Sequence, residues 1–268
     1  MLLGRPGNWI VLFVLLIAGC GLSEYEKRVD QQSAALKRFD EENKALEDPL
    51  EGPLFVDPKT AVAKAVIPVE FYLRPPKGTA IKPKDLEEPK PEKFPLVHYP
   101  GPTGFNVLVT TSRIPPDAKN SKPKEGEMTP KEFQHQVRQA LADFYGKEYK
   151  SRIDWSRADK TERKSISAFS AKGAPINLMF DYQTLTDDPD PARKNTARDP
   201  KDKTTDPYHD FRLYFYQTGG EQAAIIYEIP AAKRNDGDTN LKVDYSIRSL
   251  GLGADALIKR QEFRKRKR

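Results

Sequence analysis

Twelve of the chain's 23 prolines fall between Pro49 and Pro102. A proline inside a helix removes one backbone donor and clashes with the preceding turn, so this stretch cannot hold a long helix. Whatever structure it contributes must be extended strand, turn or loop. Residues 49–63 therefore read as a Pro-rich linker, and the globular part is expected over 64–252.

Within those limits the strand signals are clear. "AVIPVEFYLRPP" and "FNVLVTTSRI" give two candidate strands, separated by the charged, Pro-rich segment "KPKDLEEPKPEKFP", a surface loop. "TPKEFQHQVRQALADFYG" then predicts a helix. Thr129 caps it, Pro130 opens it, Glu132 completes a capping box and Gly146 stops it. Phe133, Val137, Ala140, Leu141 and Phe144 form its apolar face. Three strand-like runs follow, "YKSRIDWS", "RKSISAFSAKG" and "INLMFDYQTL", and then a polar loop from Asp187 to Asp206. "DFRLYFYQ" and "QAAIIYEI" flank Thr218-Gly219-Gly220-Glu221, where two glycines supply the positive φ angles of a tight hairpin turn. "LKVDYSIRSLGLG" closes the domain as a strand or short helix. One capped helix packed on a mostly antiparallel sheet predicts an α+β fold.

Ahead of this domain lies "NWIVLFVLLIAGCGLSEYEKRV". Trp9 to Ala18 is uninterrupted apolar sequence of about ten residues, half of what a bilayer span needs. That length suits the central part of a secretion signal. The run ends Leu16-Ile17-Ala18-Gly19-Cys20, and Cys20 is the chain's one cysteine. This stretch resembles the lipobox of bacterial lipoprotein precursors. The resemblance implies cleavage between Gly19 and Cys20, a diacylglyceryl thioether on the Cys20 sulfur, and acylation (palmitate among the acyl groups) of the new amino terminus. Acyl chains at about 0.8 kcal/mol per buried methylene would hold such a protein on a membrane. Gly21, in place of the Asp that retains such proteins at the inner membrane, points to the outer membrane where one exists. The outer face of the cytoplasmic membrane is the other address.

After Cys20, Leu22, Tyr25, Val29, Gln32, Leu36, Phe39, Asn43 and Leu46 follow alternating spacings of three and four, a heptad seam ended by Pro49. Glu42 and Glu47 would face each other across a parallel pair. The expectation is therefore one amphipathic stalk helix over 20–48 that holds the domain off the membrane or packs on a partner. At the other end, Lys259 to Arg268 carries seven basic residues and one acidic, which accounts for the whole net charge of +6. Residues 253–268 read as a solvated basic tail, with contact to anionic lipid or an envelope polymer as the sharper reading. The rest of the chain is charge-balanced, and no pattern of stacked aromatic and basic residues points to nucleic acid.

"FYLRPPKG", "FRLYFYQTGGEQAAIIYEIP" and "YSIRSLGL" together resemble the PsbP-like α/β/α sandwich over about residues 64–258. That resemblance implies a noncatalytic module that docks on other proteins at a membrane.

Catalytic and metal signals are weak. His98 falls in a Pro-rich loop, His135 on the polar side of the capped helix, and His209 beside Asp210 at a strand start. None has a second ligand at metal spacing, and the His209–Asp210 pair lacks a serine elbow. Asp236, Asp238 and Asn240 begin like a calcium loop, but Leu241 and Ile247 stand where Gly and Glu are required, so an Asp-Gly turn explains them better. No cofactor, metal or catalytic residue is expected. The aromatic strand Phe211 to Tyr216 offers Arg212, Tyr214 and Tyr216 as a docking surface, unless a further layer covers that face. The leading expectation is a lipid-anchored, noncatalytic envelope protein that docks on another protein. The alternative is a sheet-and-helix pocket for a small apolar ligand, and a more distant one an enzyme whose carboxylates meet only in the fold.

Overall fold

A computed structural model describes residues 7–56, 64–83, 94–116, 124, 127–145, 161–169, 175–186 and 209–267. The "YKSRIDWS" strand, the stop at Gly146 and the Asp187–Asp206 loop lie outside the described residues. The chain divides into two units, residues 1–44 and 45–268.

Helix α1, Gly7–Ala45, makes up the described part of the first unit as far as Lys44 and runs unbroken through the "LIAGC" segment. Among the described residues no helix is long and apolar enough to cross a membrane. The helix ends sooner than Pro49 would impose, and the residues from Ala45 onward are hydrogen-bonded within the second unit. Lys77 N donates to Ala45 O at 2.8 Å, Glu47 N donates to Pro75 O at 2.8 Å, and Arg74 Nε donates to Glu47 O at 3.1 Å. Leu46, expected on the seam, instead bridges to Pro76 and is buried in the domain.

In the second unit the elements run β1 (Leu50–Val56), β2 (Lys64–Leu73), β3 (Val97–Pro100), β4 (Asn106–Arg113), α2 (Pro130–Tyr145), β5 (Glu162–Phe169), β6 (Pro175–Thr186), β7 (His209–Thr218), β8 (Glu221–Pro230), α3 (Gly237–Ser249), β9 (Gly251–Leu252) and α4 (Ala254–Lys267). They build an α+β domain with two antiparallel sheets, ordered β1-β2-β9 and β3-β4-β8-β7-β6-β5. The expected helix and hairpin are both present. Thr129 N and Oγ1 donate to Glu132 Oε2 at 3.0 and 2.7 Å, closing the capping box. Thr218 pairs with Glu221 around Gly219 and Gly220, whose φ angles are +57° and +82°.

Strand alternation divides the six-stranded sheet into two apolar faces. Leu108, Phe211, Leu213, Phe215, Ala224 and Ile226 meet Phe133, Val137, Leu141 and Tyr145 of α2. The opposite face, with Val107, Val109, Tyr214, Ile225 and Tyr227, packs against Ile67, Val69 and Phe71 of the small sheet and Val243 and Ile247 of α3. Helix α4 covers the far side of β2, where Phe263 lies edge-on to Tyr72 with ring centroids 6.5 Å apart.

Four expectations are corrected. Residues 50–56, read as linker, form β1, which pairs with β2 through an irregular register between Gly52 and Leu54. A Cβ on Gly52 would stand 2.9 Å from Val69 O, so glycine lets the two strands approach. His98 lies on strand β3, opposite Leu108, not in a loop. The "NDGDTNLK" stretch is a helix start and not a free turn: Asp236 caps α3 by accepting from Thr239 N at 2.9 Å. The basic segment is α4, held onto the domain rather than solvated, because its cations find carboxylates and carbonyl groups on β1 and β2.

Candidate functional site

Strand β8 runs between β4 and β7, and every residue from Gln222 to Pro230 is buried. Glu228 is the one charged residue in that stretch, and it is 1% exposed. Alternation places it on the α2 face with Ala224 and Ile226, in register with Asn106 of β4 and Phe211 of β7. The last residue of α2 brings the Tyr145 phenol to the same point.

Three donors converge on the carboxylate. Asn106 Nδ2 and the Tyr145 hydroxyl each donate to Glu228 Oε2 at 2.6 Å, and His209 Nδ1 lies 2.6 Å from Oε1. Gly101 N donates to Asn106 Oδ1 at 3.2 Å, which fixes the orientation of that amide. Gly104, at φ +78°, closes over His209: a Cβ there would sit 3.2 Å from the imidazole Cε1. Burial pushes the Glu228 carboxyl up. The hydrogen bonds from His209, Asn106 and Tyr145, with the His209 charge, outweigh it and hold the group below its ordinary value.

The His209–Asp210 pair read from the sequence is divided by the sheet. Neighbours on a strand face opposite ways, and Asp210 turns from Glu228 toward Arg234. Arg234 Nη2 donates to Asp210 Oδ1 at 2.7 Å and its Nε pairs with Oδ2. Arg212 Nη2 in turn donates to Arg234 O at 3.0 Å. Of the other histidines, His98 sits edge-on to Phe144 at 5.6 Å on the α2 side, and His135 is exposed on α2. His209 stands at a strand start as expected, and is buried there. Among the described residues no group of three His, Cys, Asp or Glu is placed to hold a metal ion.

The aromatic docking surface is overturned at its centre. Tyr214 is 1% exposed and packs among Phe180, Tyr182 and Tyr227, with centroids 5.7, 4.9 and 5.9 Å away. Burial drives its phenol well up. Tyr216 and Arg212 are half-buried beside it. The small sheet and α3 cover this face, making it a second core layer. Tyr227 donates to Ser246 Oγ at 2.7 Å and so ties the sheet to α3.

The polar groups of α4 are also engaged. The Lys259 ammonium is buried against the Leu250 and Ser249 carbonyl groups at the end of α3. Arg260 spans Glu51 at 3.0 Å and Glu70 at 3.1 Å, and donates to Gly52 O at 2.6 Å. Arg264 pairs with Glu51 at 3.0 Å and Lys267 with Asp48 at 2.7 Å.

Sequence reasoning missed Glu228. The signal was present in "QAAIIYEIP", where one acid interrupts a run too apolar for a half-exposed strand. Such an acid must find donors or a proton.

No family model matches the chain, and no curated protein matches it. Among solved structures, a protein of Bacteroides thetaiotaomicron is similar at 10% identity and a TM-score of 0.30, over 68% of this chain. The chain spans 44% of that protein's length. At that score the likeness carries no argument about fold or function.

Proposed function

We propose that the chain is a cell-envelope lipoprotein, cut between Gly19 and Cys20, acylated on Cys20, and carrying a noncatalytic α+β domain that docks on protein at the membrane. The observation that carries this reading is "LIAGC" at the end of an apolar run only about ten residues long. From Cys20, α1 continues to Ala45, which at 1.5 Å per residue makes a stalk about 38 Å long. The outer membrane is the address Gly21 favours.

What supports a noncatalytic domain is the use made of its buried polar groups. Glu228 accepts from Asn106 and Tyr145 and pairs with His209, and both Asp210 oxygens meet Arg234. Such buried polar networks join elements of a fold. The PsbP-like resemblance implies the same role. Tyr25, Val29 and Leu36, the apolar residues that α1 leaves exposed, belong to the stalk and support association through it.

The test is mass spectrometry of the amino-terminal peptide from the membrane fraction. A peptide beginning at Cys20 with a diacylglyceryl thioether is expected. An unmodified cysteine within an uncut leader contradicts the proposal.

A further inference from the structure

We infer that the stalk's partner is a second copy of this chain, joined as a parallel, in-register coiled coil over Leu22 to Asn43. Its parallel sense rests on the lipid-anchor reading, since two chains fixed at Cys20 enter their stalks from the same side. Heptad spacing puts Leu22, Val29, Leu36 and Asn43 at a positions and Tyr25, Gln32 and Phe39 at d. On α1, Tyr25 is 67% exposed, Leu36 65% and Val29 43%. A row of large apolar side chains in water at a 3.5-residue period is the face that a like helix covers. Asn43 at a fixes register and pairing number.

Charge does not stand against a like partner. From the sequence, Glu42 at g would oppose Glu47 at e of the other helix. But α1 ends at Ala45, and Glu47 belongs to the domain, where its carboxylate accepts from Gly78 N at 2.8 Å and meets Lys77 Nζ at 3.2 Å. The remaining flanking pairs across a parallel dimer are Gly21 with Glu26, Arg28 with Ser33, and Ala35 with Asp40. None sets like charges together, and Glu42 is met by Arg38 on its own helix at 3.5 Å. Three heptads with two polar seam positions make a marginal coil in free solution. Two-dimensional confinement on a membrane raises the effective concentration of the partner and completes it.

The experiment uses the full lipidated chain in native membranes, with single cysteines placed at Leu36→Cys (seam) and Lys37→Cys (the neighbouring outer face). The acylated Cys20 is blocked, so mild oxidation reports only the introduced thiols. Leu36→Cys should give a disulfide-linked species of twice the chain's mass, at least tenfold more than Lys37→Cys. Equal crosslinking of both, none in either, or a product of another mass overturns the inference. Labelled palmitate is followed in the same samples. Label without the Leu36→Cys dimer removes the coil and leaves the anchor. Absence of label removes the anchor, and the pair is then repeated on a Cys20→Ser background, so that no native thiol is left to crosslink: a dimer of Leu36→Cys and not of Lys37→Cys leaves the coil, and none in either removes it.

Discussion

His209 Nδ1 and Glu228 Oε1 lie 2.6 Å apart on adjacent strands, both buried, at the end of the sheet where α2 finishes. This contact, with Tyr145 and Asn106 on the other carboxylate oxygen, joins β7, β8, β4 and α2 at one point. Removing the carboxylate leaves three donors without their acceptor in a buried site. Glu228→Ala is expected to cost about 3–5 kcal/mol, read as a lower urea midpoint. A loss below about 1 kcal/mol would show that water or a neighbour takes over.

The same carboxyl gives the fold an acid limb. Its folded value lies below the ordinary 4.5, so the stabilisation is fully present above that value and is lost as pH falls through the folded one. Between pH 7 and pH 3 the wild type should lose more stability than Glu228→Gln. Parallel curves for the two proteins would assign the acid limb to other carboxylates.

Tyr214 belongs to the core and not to a docking face. Tyr214→Ala should destabilise by about 3–5 kcal/mol, as large aromatic truncations do, and half-buried Tyr216→Ala by clearly less. Thermal unfolding of the two variants decides it. Equal, small effects would return Tyr214 to the surface.

The basic segment is expected to behave as structure. Lys259→Met keeps the buried stem but removes the donor to the Leu250 and Ser249 carbonyl groups at the end of α3. A loss of about 1–3 kcal/mol is expected. An unchanged melting curve would mean that α4 contributes nothing to the domain.

Gly253 adopts φ +60°, and a Cβ on it would meet the Glu221 carboxylate at 2.1 Å. Gly219, at φ +57°, has nothing within 4 Å. Gly219→Ala should therefore cost only the left-handed strain, about 1–2 kcal/mol, and Gly253→Ala more. Adding Glu221→Ala should bring the Gly253→Ala cost down to that of Gly219→Ala. If the second substitution restores nothing, the clash is not the cause.

The elements legible in the sequence were those whose signals are local. Thr129 and Glu132 lie three residues apart, and Gly219-Gly220 set their own turn. β1 was hidden because Gly52 and Pro53 argue against a strand until β2 is known to lie beside them. α4 was hidden because its contacts come from Phe263, Ala256 and the stems of basic residues, in a segment that reads as charge. The polar centre draws Asn106, Tyr145, His209 and Glu228 from four elements, so no spacing records it. The docking reading of Tyr214 failed for a related reason: alternation tells which residues share a face, and not whether another layer covers that face.

The proposed anchor at Cys20 sets the place of everything that follows it in the chain. Cells producing the full chain should incorporate labelled palmitate into it, and the Cys20→Ser chain should carry none. Label retained on Cys20→Ser, or a wild-type chain without label, would contradict the claim.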